Sequence, residues 1–175
     1  MIFDRITDTS HCMFTTAMKL YRTSFPDHEQ REALSQTNIL NNPAYHFNLV
    51  YDKNCFVGLV LYWETVHFIY VEHFCILPEL RNHRYGQKIL DDLKNQEKTI
   101  ILEIDPPVDE ISIRRKGFYE RCGFMENSYS HIHPPYHLKN HGHNLMVMSC
   151  PRQITPAEYH SFNEFLHQQV MNDGC

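Results

Sequence analysis

No apolar run in this sequence approaches the roughly 20 residues that a membrane-spanning helix needs. The longest, Phe56 to Trp63, is interrupted by Gly58. The N-terminus, Met1-Ile2-Phe3-Asp4-Arg5, lacks a basic segment followed by an apolar one. No signal peptide is therefore expected, and a cytoplasmic location without membrane association is. Paired cysteine spacing is missing too. Cys12, Cys55, Cys75, Cys122, Cys150 and Cys175 are scattered, which reads as free thiols in a reducing compartment. Excess positive charge is absent: the formal net charge is −5, which argues against a protein that grips nucleic acid through its phosphates. Internal repeats and low-complexity tracts are lacking. Ten tyrosines and eleven phenylalanines supply bulky core material despite the single tryptophan. At 175 residues, 42% of them hydrophobic, the chain has room for one continuous core and is not expected to be disordered.

Against the acidic background stand two basic islands. One holds Arg81, His83, Arg84 and Lys88, the other Arg114, Arg115, Lys116 and Arg121. They fit one anionic ligand or two solvated helix faces equally well.

The periodicity predicts a mixed α/β order. Ile2 to Ile6 reads as a strand, and Asp8, Thr9 and Ser10 offer caps to a helix carrying Met13, Ala17, Leu20, Tyr21 and Phe25. A more polar helix is expected from His28 to Leu40. Tyr45, Phe47, Leu49 and Tyr51 then alternate with other residues, the pattern of a half-buried strand. Asp52-Lys53-Asn54 turns the chain into a buried strand, Cys55 to Trp63, and another runs from Phe68 to Ile76, before Pro78. A helix opens near Gly86 and Thr99 to Asp105 is a strand. Asp109 caps a helix that ends at Gly123, Leu145 to Ser149 is a late strand, and Pro156 opens a final helix to Val170.

Between the Phe68–Ile76 strand and the next helix lies Arg81-Asn82-His83-Arg84-Tyr85-Gly86. A basic loop leading into a helix N-terminus offers unpaired amides and partial positive charge to a diphosphate, and a glycine removes the Cβ that would hinder its approach. The segment resembles the central motif of the GNAT superfamily of N-acetyltransferases: Gln or Arg, two residues, Gly, one residue, Gly or Ala. Arg84 stands in place of the first glycine. Downstream, Tyr119, Gly123 and Phe124 are similar to the second signature, a helix ending in Tyr, three residues, then Gly-Phe, while Ser112 occupies a position often held by Asn.

The resemblance implies a GNAT acyl-CoA N-acyltransferase fold, a splayed and mostly antiparallel central sheet with helices on both faces. It covers residues 1–150, with 151–175 as a helical extension packed on the same domain. It implies acetyl-CoA as co-substrate and a small-molecule or peptide amine as acceptor, with no metal. A second copy of the chain is a candidate partner. The pantetheine arm is expected along Phe74, Cys75 and Ile76, and the pyrophosphate at Arg81, Asn82, His83, Arg84, Tyr85, Gly86 and Gln87. Tyr119 is the expected acid for the leaving thiolate and Glu72 the expected base, on one strand face with Tyr70 and Phe74; His73, which alternation sends to the other face, is the second candidate base.

Rival readings remain. Glu103 is expected to pair with Arg114 or Arg115. Histidines 131, 133, 137, 141 and 143 could bind metal, though surface histidines are the plainer reading. Cys75 or Cys122 as a nucleophile gives way to burial as small apolar residues. The functional alternative is a module that binds acyl-CoA without turning it over.

Overall fold

The computed structural model describes residues 1–137 and 139–172. Its strands are β1 (Ile2–Ile6), β2 (Tyr45–Asp52), β3 (Cys55–Glu64), β4 (Phe68–Ile76), β5 (Thr99–Ile104), β6 (Met125–Glu126), β7 (Ile132–His133), β8 (His143–Asn144) and β9 (Met146–Cys150). The helices are α1 (Phe14–Ser24), α2 (Ala33–Asn38), α3 (Tyr85–Lys94), α4 (Glu110–Arg121) and α5 (Pro156–Phe165), the last continuing as a π turn over Leu166–Val170. A seven-stranded sheet runs β1-β2-β3-β4-β5-β9-β6, and β7 and β8 form a separate hairpin. Only the β4–β5 pair is parallel.

Helices cover both sheet faces. On one, Ala17, Leu20 and Tyr21 of α1 pack with Phe162, Leu166 and Val170 against Phe47, Leu49 and Tyr70. On the other, Ile89, Leu90 and Leu93 of α3 and Tyr119 of α4 cover Val60, Ile69, Val71 and Leu102. β2 is accordingly buried on both sides, Asn48 and Val50 as well as Phe47 and Leu49, and not half-buried as its alternation predicts. None of the described helices is long and apolar enough to cross a membrane.

Two helix expectations are corrected. Asp8 turns its carboxylate on the Ser10 amide at 2.7 Å, and α1 begins later without a side-chain cap. The helix expected over His28–Leu40 breaks into a 3-10 turn at Asp27–Glu29 and the short α2. Between them Gln30 and Glu32 are extended, with ψ 142° and 141°, and Arg31 is carried inward. Its guanidinium donates to the Val170 carbonyl at 2.6 Å. Helical spacing cannot register a cation drawn into the core.

The sheet forks between β4 and β5. Their pairing stops at Val71↔Leu102, beyond which β5 continues against β9 and β4 against β3. At the same level β4 is bulged: Leu61 pairs His73 and Tyr62 pairs Val71, leaving Glu72 as the extra residue. A Cβ on Gly58 would stand 2.2 Å from the Cys75 carbonyl oxygen, so only glycine lets β3 approach β4 this closely.

Candidate active site

From the fork a cleft of about 1270 Å³ runs between the helices, reaching the start of α3 at one end and the Phe25–Glu29 segment and the His133–Tyr136 loop at the other.

The α3 end is basic and rich in free amides. Arg81 and Arg84 belong to the loop that leads into α3, and Arg114, Arg115 and Arg121 of α4 also line the cleft. Among the described residues none accepts a hydrogen bond from the main-chain amides of residues 82 to 87; the first helical bond is Lys88 N–H to Arg84 O at 3.1 Å. Asn82 and Arg84 lie in the left-handed region with φ 66° and 62°, the kind of backbone from which anion-binding nests are built. Arg84 thus adopts the backbone that the family's glycine would supply. Asn82, Tyr85, Gly86 and Gln87 also line the cleft. His83 does not; its Nδ1 bonds the Arg81 carbonyl at 2.9 Å. A Cβ on Gly86 would meet the Phe118 ring at 3.0 Å and the Phe74 ring at 3.5 Å, so this glycine also makes room for aromatic packing.

Phe74, Cys75 and Ile76 lie on the β4 arm past the fork and line the cleft. Burial pushes the Cys75 thiol up, and the same holds for Cys122, which makes both poor nucleophiles.

Tyr119 projects from α4, whose start is fixed by Asp109 and Ser112 as a capping box. Ser112 is therefore buried for a structural reason. Gly123 closes the helix at φ 84°. Tyr119 is among the residues lining the cleft, and burial pushes its pKa up to about 12, so it keeps its proton at neutral pH.

Glu72, the expected base, has its carboxylate buried and engaged by three side chains. Its Oε1 meets Arg31 Nη2 at 2.8 Å and accepts from Tyr136 Oη at 2.8 Å, and its Oε2 accepts from Trp63 Nε1 at 2.9 Å. Burial acts to raise its pKa, but Arg31, His73, Tyr136 and Trp63 together outweigh this and hold it below the usual carboxylate range. A carboxylate so stabilised is a weak proton acceptor. The bulge also rearranges the faces. His73 joins Glu72 and Tyr70 on the α1 side, against Tyr21 and Phe25, while Phe74 packs on the opposite face.

Glu103 does not pair with Arg114 or Arg115. Its carboxylate accepts from Tyr70 Oη and pairs with His131 Nε2, and His133 Nε2 lies 3.8 Å away. Arg115 instead binds Asp105 at 2.7 Å. His131, His133 and His137 are buried, contrary to the reading of that loop as surface histidines. His137 ties it to Glu32 and, at 2.9 Å, to the Asp27 carbonyl. Arg31 is a cleft-side residue that sequence reasoning misses, and His133 enters it only as a candidate metal ligand.

Comparison with known proteins bears on this arrangement. The Acetyltransferase (GNAT) family profile matches residues 12–124. A Bacteroides thetaiotaomicron protein assigned to the GNAT acetyltransferases is 30% identical in sequence and superposes with TM-score 0.91 over 98% of each chain. An aminoglycoside 6'-N-acetyltransferase complexed with coenzyme A, 16% identical, shares the fold with TM-score 0.58 over 89% of this chain and 98% of that one. The ribosomal-protein-S18-alanine N-acetyltransferase from Escherichia coli, 14% identical, does so with 0.56 over 88% and 95%. A search of curated proteins found no match. The forked sheet, the amide-rich turn before α3 and the family match agree, and the chain belongs to the GNAT family of acetyltransferases.

Proposed function

We propose that the chain is an acetyl-CoA-dependent N-acetyltransferase that moves an acetyl group to a primary amine by direct attack in a ternary complex. The observation that carries this reading is the polarity of one continuous cleft. Arg81, Arg84 and unpaired amides lie at its α3 end, Glu29 and Asp105 (the latter paired with Arg115) at its other end, and Tyr119 along its wall.

In this reading the amides of residues 82 to 87, with Arg81 and Arg84, hold the pyrophosphate. The pantetheine arm adds to β4 at Phe74 and Ile76, where β5 has turned away. An amide near Cys75 faces the thioester oxygen as charge develops on it.

An acceptor ammonium with a pKa of about 10.4 must lose a proton before it attacks. In this reading His133 takes it. Its Nδ1 lies 2.6 Å from the Pro134 carbonyl, which can only accept, so Nδ1 carries the hydrogen and Nε2, 3.8 Å from Glu103 Oε2, carries the lone pair. Glu103 supplies the opposite charge for the imidazolium that forms. The amine lone pair attacks the thioester carbon, and the tetrahedral oxyanion collapses by breaking the C–S bond. Tyr119 then gives its proton to the departing thiolate, and the second proton shed by the amine nitrogen as it becomes an amide restores the phenol. Glu72 keeps the floor of the acceptor end in place through Arg31 and Tyr136 and handles no proton. Both a small amine and a peptide N-terminus remain acceptors in this reading, and a cytoplasmic setting is part of it.

The test is thiol release by the purified protein with acetyl-CoA and a panel of primary amines, short peptides included. Amine-dependent release above the hydrolysis background is expected. Tight CoA binding with no turnover across the panel would favour the non-catalytic binding module.

A further inference from the structure

The buried histidines are occupied with Glu103 and the loop, but a different set converges at the mouth of the acceptor end. The 3-10 turn Asp27–Glu29 faces the β7–β8 hairpin there. His28 and Glu29 come from the turn and His143 from the hairpin. One ligand atom from each lies within 4.8 Å of the other two. His28 Nε2 stands 3.7 Å from Glu29 Oε1, and the His28 and His143 ring centroids are 5.8 Å apart. All three residues line the cleft. The expectation of no metal weighed only the histidines of the later loop, whereas this set draws a partner from far earlier in the chain.

Two imidazoles and a carboxylate form the donor set of zinc-class ions, with metal–ligand distances of about 2.0–2.2 Å and a fourth position left for water. Around a tetrahedral ion such donors stand about 3.4 Å apart, so these need to close by about 1 Å. The His28 and His143 side chains are 54% and 39% exposed, which leaves them free to make that adjustment. The local charge favours a cation. Asp105 adds a second carboxylate, with Oδ1 3.4 Å from His143 Nε2 and Oδ2 2.7 Å from Arg115 Nη1. It is placed to orient the His143 ring, as outer partners of metal-bound histidines do.

We infer that His28, Glu29 and His143 bind one zinc-class divalent ion, which ties the 3-10 turn to the β7–β8 hairpin across the mouth of the cleft.

The experiment is calorimetric titration of zinc chloride into the intact, reduced protein without acetyl-CoA, with magnesium chloride as control and cobalt as a spectroscopic probe. One equivalent of zinc is expected to bind, with no comparable magnesium binding, because magnesium prefers oxygen ligands and retains its water. Cobalt should give a d–d spectrum without thiolate charge-transfer intensity. His28→Ala and His143→Ala should each weaken zinc by about 10-fold or more, with circular dichroism confirming the fold. Failure of zinc to bind overturns the inference. So does affinity undiminished in either variant, or a thiolate band that moves the ion to the exposed Cys12 or Cys55. None of these readouts involves acetyl transfer, so the outcome is independent of the enzymatic reading.

Discussion

Glu72 and Glu103 stand on the two arms of the forked sheet, each the first residue of its strand beyond the last β4–β5 rung, Val71↔Leu102. Both carboxylates are buried, and each has its own cationic or hydrogen-bonding partners: Arg31 and Tyr136 for Glu72, His131 and Tyr70 for Glu103. Two like charges at the crotch of the fork persist because neither is left unpaired. Each also has an imidazole beside it, His133 at 3.8 Å from Glu103 and His73 next to Glu72.

Tyr119→Phe is expected to lower turnover by about 10- to 1000-fold while sparing CoA affinity, because it removes a proton donor that acts only as the C–S bond breaks. Initial rates and CoA calorimetry on the same preparation check it. Equal loss of turnover and binding would make Tyr119 a wall residue only.

His133→Asn and Glu72→Gln separate the proton acceptor from the buried counter-charge. The first should abolish the acidic limb of the kcat/KM profile and leave a rate that rises with hydroxide. The second should keep that limb. It should also cost stability, within the range of about 3–5 kcal/mol seen when a buried ion pair loses one partner, read from urea midpoints. A profile altered only by Glu72→Gln would return the base role to Glu72.

The local parts of this site were legible in the sequence. Tyr119, Gly123 and the loop before α3 are set by spacing within one helix or turn, and the positive φ at Gly123 is the kind that glycine serves. The acceptor end was not. A one-residue bulge at Glu72 breaks the strand's period, so alternation sends His73 to the wrong face and keeps Phe74 on the wrong one. Arg31 looked like part of a polar helix, and its partners Glu72 and Val170 lie far along the chain. His131 and His133 gained their meaning only when β5 brought Glu103 beneath them.

Arg84→Gly sets backbone strain against charge. A non-glycine residue at φ 62° costs about 1–2 kcal/mol, of which glycine's greater unfolded-state entropy takes back about 0.5–1 kcal/mol. The variant should be as stable as the parent or slightly more so. Its CoA affinity should nevertheless fall and depend less on salt, because a guanidinium is lost from the phosphate end. Unchanged affinity and salt dependence would take the Arg84 side chain out of cofactor binding.

Gly58→Ala should destabilise the fold by about 1–3 kcal/mol, as overpacking does, because its Cβ would overlap the Cys75 carbonyl and push β4 from β3. Since the cofactor arm is proposed to lie on that same stretch of β4, CoA binding should weaken too. Urea midpoints and calorimetry read the two effects separately. Intact CoA affinity in a destabilised variant would place the arm elsewhere.

Acid should undo the fork before it affects the rest of the core. Burial acts to raise the pKa of both Glu72 and Glu103, yet Arg31, His73, Tyr136 and Trp63 in one case and His133, His131 and Tyr70 in the other hold each below its ordinary value in the folded protein. A carboxyl whose folded pKa is depressed binds protons more readily when unfolded. Its contribution is therefore complete above the unfolded pKa of about 4.3 and is lost as pH falls through the lower folded value. Urea midpoints should hold from neutrality to about pH 5 and then drop. Glu72→Gln should start lower at neutral pH and fall less steeply in acid, because it has no proton to gain at that position. Parallel acid profiles for the variant and the parent would show that Glu72 contributes nothing to the acid sensitivity.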